Sequence, residues 1–113
     1  MALLSKDDIL NANDLNFEDV EVPEWGGTVR VSTMSGQSRD KMEIAFSNKA
    51  TMDNVRARIV SLSVVDEEGK LIFTEADILK LGRKSAKALD RVFMAAQRIN
   101  AIGDAEVDKL AKN

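Results

Sequence analysis

One amphipathic segment near the C-terminus constrains the fold of this chain more than any other stretch. In residues 84–103, KSAKALDRVFMAAQRINAIG, the residues that recur at the helical period on one face are Leu89, Val92, Phe93, Ala96 and Ile99. Ser85 precedes them as a helix start, and Gly103 follows them as a helix breaker. Met94 and Ala95 widen the apolar surface. The segment therefore predicts a long helix that is contacted on two faces.

The chain's only tryptophan and only proline stand together in a predicted turn. Residues 22–36 are VPEWGGTVRVSTMSG, and PEWGG separates FEDVEV from TVRVSTM, two segments in which apolar and polar residues alternate. Alternation is typical of a half-buried strand, and glycine takes the positive φ angles that a chain reversal needs. The pattern predicts a β-hairpin with Trp25 at its tip. Trp25 then either folds back onto the core, the usual fate of tryptophan, or anchors another protein.

Shorter segments predict further helices on both sides of the hairpin. Ser5 and Asp8 have the spacing of a capping box, which predicts a short helix ending near Asn13. Residues 35–49, SGQSRDKMEIAFSNK, have apolar residues at helical spacing and predict a helix of about three turns. Residues 51–65, TMDNVRARIVSLSVV, leave two alternatives open, because their second half is β-branched enough to form a strand.

The predicted elements make one domain of the α+β class, an N-terminal β-hairpin packed with a mainly α-helical remainder. Residues 74–82, TEADILKLG, predict a compact helix with Thr74 as its cap and Gly82 as its terminator. The domain is predicted to span residues 1–103. Residues 104–113, DAEVDKLAKN, have too little apolar surface to be held firmly, so they are predicted to form a flexible C-terminal tail.

Residue types on which many enzymes depend are missing from this chain. Its 113 residues include no histidine, cysteine or tyrosine, so a thiolate metal site and a histidine base are excluded. Acidic pairs such as Asp7–Asp8 are neighbours in sequence, which do not face each other on a helix. The sequence therefore predicts no catalytic, cofactor-binding or metal-ligating residues and a protein that is not an enzyme. A small hydrolase acting through carboxylates is a weak alternative.

Charge is spread unevenly along the chain. Residues 1–24 carry seven acids and one base, residues 25–60 carry six bases and three acids, and the remainder is balanced. An acidic head beside a basic middle predicts head-to-tail self-association that weakens as salt rises. A small nucleic-acid-binding regulatory protein is the alternative, supported only by Arg30, Arg39, Lys41, Lys49, Arg56 and Arg58. The net charge of −3 and the scarcity of interleaved aromatic residues disfavour nucleic acid as a partner.

No segment of the sequence predicts contact with a membrane. No apolar run approaches the roughly 20 residues that a spanning helix needs. The N-terminus, MALLSKDDIL, lacks the basic region of a signal peptide and becomes acidic at once. A soluble cytoplasmic protein is expected.

Four segments, taken in order, carry a resemblance to a known family. EVPEWGGTVRV, SGQSRDKME, VRARIVSLSVVDEEGKLIF and LGRKSAKALDRVFMAAQRIN resemble the tail assembly chaperones of long-tailed bacteriophages, specifically those of HK-type lambdoid phages, over residues 3–103. The resemblance implies a chaperone of the host cytoplasm, with no cofactor, that forms homo-oligomers. It also implies binding to the tape measure protein, a long helical polymer kept soluble until the tail tube assembles around it.

The resemblance further implies a programmed −1 frameshift that gives a C-terminally extended minor form contacting the tail tube protein. Lys112 and Asn113 can be encoded by an A-rich stretch on which a ribosome slips back one base, which is consistent with such a site. The family's motifs assign no site residues. The candidate partner or oligomer interface is therefore Trp25, Arg30, Arg56, Arg58 and Met94. The stripe from Leu89 to Ile99 is either part of that interface or core, and its periodicity favours core.

Overall fold

The computed structural model describes residues 2–47 and 54–102. In chain order the helices and strands are α1 (Lys6–Leu10), β1 (Phe17–Val22), β2 (Gly27–Ser32), α2 (Gly36–Ser47), α3 (Val55–Ser61), β3 (Val64–Val65), α4 (Ile78–Gly82) and α5 (Ala86–Ile99). Short 3-10 turns lie at Pro23–Trp25 and Glu75–Asp77. The predicted α+β class, with an N-terminal hairpin and a mainly helical remainder, is confirmed.

The hairpin is the first part of a small antiparallel sheet in the order β1-β2-β3. Strands β1 and β2 pair from Phe17 opposite Ser32 to Val22 opposite Gly27. Pro23–Trp25 forms the connecting turn, and Gly26 ends it at φ 73°, a left-handed conformation that favours glycine. The predicted hairpin with Trp25 at its tip is confirmed.

The segment for which helix and strand both stayed open contains one of each. Residues Val55–Ser61 form α3, and β3 then pairs with the free edge of β2, where the Ser32 amide donates to the Ser63 carbonyl at 2.7 Å. The β-branched valines of β3 follow the turn after α3 and are both buried. Hydrogen bonding to the edge of β2 therefore makes the second half of this segment extended.

Helix α5 packs across one face of the sheet and against α3. Val22 and Val31 from the hairpin and Val92 from α5 are fully buried together. The alanines on this side of α5 let the neighbouring elements approach closely, because they add little volume. Leu89 and Phe93 are also buried and Ile99 is partly buried, so the helical stripe found in the sequence lies in the core.

The remaining helices close the core from the other side. The buried side chains that they contribute are Met42 and Phe46 from α2, Ile59 and Val60 from α3, and Ile78 and Leu81 from α4. Helix α3 begins beside the end of α4. Asn54, at φ 63°, precedes α3, and its side chain fills the space that a Cβ on Gly82 would occupy. Gly82 therefore allows the two helices to meet closely.

Helix starts follow the capping residues that the sequence indicates. The Ser5 hydroxyl accepts from the Asp8 amide at 3.1 Å, and the Asp8 carboxylate accepts from the Ser5 amide at 2.9 Å. The Ser85 hydroxyl accepts from the amide three residues later at 3.3 Å and begins α5. Helix α1 ends at Leu10 rather than near Asn13, so it is shorter than predicted. None of its residues is buried.

The compact helix predicted over residues 74–82 is divided in two. Thr74 and Asp77 form a reciprocal capping box around a 3-10 turn, and α4 follows from Ile78 to Gly82. None of the helices in the described ranges is both long enough and apolar enough to span a membrane. Gly103, Lys49 and the predicted tail at residues 104–113 lie outside the described residues.

Candidate interaction surfaces

Trp25 lies at the hairpin tip, where the turn contacts α5. Its ring is half-buried and packs against the core cluster. The neighbouring Glu24 accepts from Arg91 of α5 at 2.9 Å and ties the tip to that helix. A hydrogen bond from its own backbone amide, with the Arg91 guanidinium second, lowers the pKa of Glu24. Trp25 is thus a packing residue that keeps part of its ring at the surface.

Arg30 lies on the face of the sheet that points away from α5. Asp19 is directly opposite it in the register of β1 and β2, and the two side chains form an ion pair at 2.8 Å. The guanidinium also lies over the Phe17 ring, 4.0 Å from its centroid. The Arg30 hydrogen bond lowers the pKa of Asp19. Arg30 is therefore held in place by its own hairpin.

Arg56 and Arg58 both belong to α3 but point to different neighbours. Arg56 pairs with Asp90 of α5 at 2.7 Å and lies 5.8 Å from the centroid of the Phe93 ring. Arg58 pairs with Glu75 at 3.0 Å, in the turn before α4. Met94 is 58% exposed on the outer side of α5. The five residues singled out from the sequence therefore do not form one surface in this chain.

Ion pairs within the chain use much of the charge that the sequence separates into an acidic head and a basic middle. Three of the head's acids have partners elsewhere in the fold: Glu18 with Arg98, Asp19 with Arg30, and Glu24 with Arg91. In the basic middle, Arg39 pairs with Glu43 at 3.2 Å. Arginines that are already paired with carboxylates offer less to a phosphate backbone or to a second copy.

The acidic side chains serve as structural hydrogen-bond acceptors. Asp8, Asp66 and Asp77 each accept backbone amides of their own turns, and these hydrogen bonds lower the pKa of each carboxyl. A carboxyl that acts as a general acid at neutral pH needs the opposite shift. Within the described residues, no three acidic side chains come close enough together to hold a metal ion.

An apolar groove of about 690 Å³ lies between α2, α3 and residues 71–78. Its apolar lining consists of Met42, Ile44, Ala45, Leu62, Leu71, Phe73 and Ile78. Lys41 and the Arg58–Glu75 ion pair add charges of both signs to the lining. Ile44 is 69% exposed, so an apolar side chain on α2 is available to a partner. We call this feature the groove.

The sequence analysis missed the groove because no single segment contains it. Met42 and Phe46 define the buried stripe of α2, whereas Ile44 is exposed. The residues three and four positions away from Ile44 are all polar, so the sequence shows no second apolar stripe there. Leu71 and Phe73 belong to the short extended stretch LIF. An apolar residue off the main stripe of a helix is the signal that could have indicated this surface.

A second uncovered apolar surface is the N-terminal arm, which we define as residues 2–16. Every residue of the arm is exposed, although α1 is formed and capped. Its large apolar residues are Leu3, Leu4, Ile9, Leu10 and Leu15, and Leu3 is 98% exposed. A run of five large apolar side chains in 15 residues with none buried is unusual for a monomer and indicates an interaction surface.

Comparison with known proteins finds one informative likeness, and it lies in the fold. No protein-family model matches the chain, and no curated protein matches it. Among solved structures, the bacteriophage HK97 tail assembly chaperone superposes with a TM-score of 0.56 and 14% sequence identity, over 87% of this chain and 92% of that one. This chain has the fold of that tail assembly chaperone. The resemblance drawn from the sequence is confirmed at the level of the fold.

On this fold, the candidate sites are uncovered apolar surfaces. The groove and the arm each bring several uncovered apolar side chains together next to charged ones. Trp25, Arg30 and Arg56 are each engaged by contacts within the chain. Arg58 alone of the five residues chosen from the sequence lines the groove.

Proposed function

We propose that this protein is a phage tail assembly chaperone that binds the tape measure protein and keeps it soluble in the host cytoplasm until the tail tube forms around it. It acts by binding and carries out no catalysis. The shared fold over 87% of the chain supports the chaperone role. The observation that carries tape measure binding is the groove.

The groove has the shape and chemistry that accept an amphipathic helix. Such a helix lays side chains at positions i, i+3, i+4 and i+7 into an apolar trough and keeps its polar side in water. Ile44 and Leu71 present exposed apolar side chains to such a helix, and the partly buried ring of Phe73 adds an apolar wall. Lys41 and Glu75 provide both charge signs for polar residues beside the apolar stripe.

Covering an apolar stripe would explain how a small protein keeps a long helical polymer soluble. A free amphipathic helix exposes its stripe and associates with other helices through it. A chaperone bound in the groove replaces that apolar surface with its own charged exterior. Many copies bound along one polymer would then act together.

Self-association and an extended form belong to the same proposal. The residues that the sequence nominates for contacts with copies or partners are Trp25, Arg30, Arg56, Arg58 and Met94. Residues 1–103 would be the chaperone domain, and residues 104–113 would connect it to a frameshifted extension that contacts the tail tube protein. Recoding Lys112 and Asn113 with synonymous codons would then abolish the longer product, which mass spectrometry would detect.

Co-expression with the tape measure protein tests the proposal. The soluble fraction of the tape measure protein should rise with this chain and fall back when the chain carries Ile44→Asp, because a charge would be placed in the groove. Ile44 is exposed, so the variant should fold normally. Leu79→Asp is the matched control, since Leu79 is 64% exposed but does not line the groove.

If the tape measure protein is no more soluble with the wild-type chain than without it, the proposed function fails. If Ile44→Asp and Leu79→Asp both work as well as wild type, the chaperone role stands and the groove is not its binding site.

A further inference from the structure

The N-terminal arm is locally folded, and its residues are all exposed on the described body. At the base, the Asn16 amide donates to the Thr33 hydroxyl at 3.0 Å, and the Thr33 amide donates to the Asn16 carbonyl at 2.8 Å. From Ala2 to Leu15, the hydrogen bonds within the described part of the chain all join residues of the arm itself. The arm is thus fixed at one end and free to meet a partner.

The arm is also preorganised for binding. The reciprocal bonds between Ser5 and Asp8 hold α1 in helical form without any support from the body. A helix that is already formed loses less conformational entropy when it docks than a disordered segment does. A capping box is therefore well placed to keep Ile9 and Leu10, which α1 exposes, ready for an apolar site.

We infer that the arm of one copy docks into the groove of a second copy. This inference rests on the proposed self-association and names the two surfaces that make it. The arm supplies exposed leucines and isoleucine, and the groove supplies the apolar trough that they lack in their own chain. Every copy of the chain carries both an arm and a groove, so the chain can self-associate without another protein.

Charge complementarity favours this pairing. The arm carries one lysine and three aspartates, Asp7, Asp8 and Asp14. In the groove, Arg58 and Glu75 are paired with each other, so Lys41 gives the lining a net positive charge. An acidic arm entering a groove of net positive charge is attracted to it.

The arrangement is heterologous, with one arm and one groove on every copy. Such a contact leaves a free arm at one end of a dimer and a free groove at the other, so assembly continues to rings or spirals. Because the tape measure protein is proposed to occupy the same groove, each groove holds either an arm or a client helix. Client binding would then displace the arms of neighbouring copies.

Two complementary variants test the inference by sedimentation velocity. Leu10→Asp damages the arm, and Ile44→Asp damages the groove. Each is expected to weaken association at least about a hundredfold, since a charge replaces an apolar side chain in the contact. Both residues are exposed in the single chain, so circular dichroism should show unchanged folding. Asn13→Asp is the control, because it adds the same charge to the arm and removes no apolar group.

A mixture of the two variants gives the sharpest result. The groove variant still has a sound arm and the arm variant still has a sound groove, so an equal mixture should form dimers and nothing larger. Wild type should form larger species whose association weakens at about 0.5 M salt, where exposed charge attraction is screened within a few ångströms, but is not lost, because the contact is also apolar.

Three results would overturn the inference, and each has a different consequence for the proposed self-association. Arm variants that associate like wild type would refute the arm and leave self-association intact. A mixture that forms no dimers would refute the pairing of arm with groove. A wild-type chain that is monomeric at every concentration would refute self-association as a whole, while tape measure solubilisation would still test the chaperone role separately.

Discussion

Replacing the tryptophan at the hairpin tip separates its two possible roles. Trp25 packs against the core cluster and touches α5, yet its ring is only half-buried. We expect Trp25→Ala to destabilise the fold, because it removes apolar contacts between the hairpin and α5. The turn itself should survive, since Pro23 and Gly26 set its backbone.

The size of the effect follows from the burial. Truncating a fully buried aromatic side chain to alanine costs about 3–5 kcal/mol. Because Trp25 is only partly buried, the free energy of unfolding should fall by less than that range, about 2 kcal/mol. For a domain of this length, with an unfolding entropy of about 2.1 cal/mol/K per residue, the melting temperature should drop by about 8 °C.

Thermal melts followed by circular dichroism at a helix wavelength measure the change. Fluorescence cannot follow the variant, because Trp25 is the chain's single tryptophan and there is no tyrosine. Met94→Ala is the control and should stay within about 0.5 kcal/mol of wild type, since Met94 is exposed on α5. An unchanged melting temperature for Trp25→Ala would refute the packing role. If association were lost at the same time, Trp25 would be an interface anchor.

Three further substitutions test details of the fold. Ser85→Ala should cost about 1 kcal/mol by removing the cap of α5, and a neutral result in urea titrations would show that the cap is dispensable. Gly82→Ala should destabilise wild type, because the new Cβ would clash with the Asn54 side chain, and it should stabilise the Asn54→Gly variant, in which that side chain is gone. Equal effects in the two backgrounds would show that the Asn54 side chain is not the obstacle. The hydrogen bond from the backbone amide of Thr74 lowers the pKa of Asp77, so its stabilisation is present above the ordinary aspartate pKa of about 3.9 and is lost as pH falls through the lower folded-state value. Asp77→Ala should therefore shrink the difference in stability between neutral and acidic pH, and an unchanged difference would contradict this origin.

Elements defined by local physics could be predicted from the sequence. The hairpin needed only alternating residues around PEWGG, and α5 needed only its helical stripe and the cap at Ser85. These features depend on residues within a few positions of one another, where backbone preferences and side-chain period act directly. The end of α1 was predicted too late because Asn11, Ala12 and Asn13 offer no strong stop signal and no residue of the helix is buried.

Features built from distant residues could not be predicted in this way. Summing charge by segment separated an acidic head from a basic middle, but Arg98 lies 80 positions from its partner Glu18, and Arg91 lies 67 positions from Glu24. The groove likewise joins α2 to residues 71–78. Pairing of this kind is set by the packed fold, which the order of residues along the chain does not display.

The same limit applied to β3. Its valines are equally compatible with a helix end and a strand, and the choice depends on the hydrogen bonds offered by the edge of β2. The candidate interface residues show the effect most clearly. Arg30 and Arg56 were chosen as candidate interface residues, and the structure gives each a carboxylate partner within the chain that its position in the sequence does not indicate.

Thiol labelling at the groove tests the central claim most directly, that a client helix binds there. The chain contains no cysteine, so Ile44→Cys provides a single reactive group in the groove, and Leu79→Cys provides a matched one outside it. Both would be made in the Leu10→Asp background so that no arm covers the groove. In complex with the tape measure protein, alkylation at position 44 should slow at least about tenfold while position 79 is unchanged, because a docked helix excludes the reagent. Equal alkylation rates at position 44 with and without the tape measure protein would contradict the account.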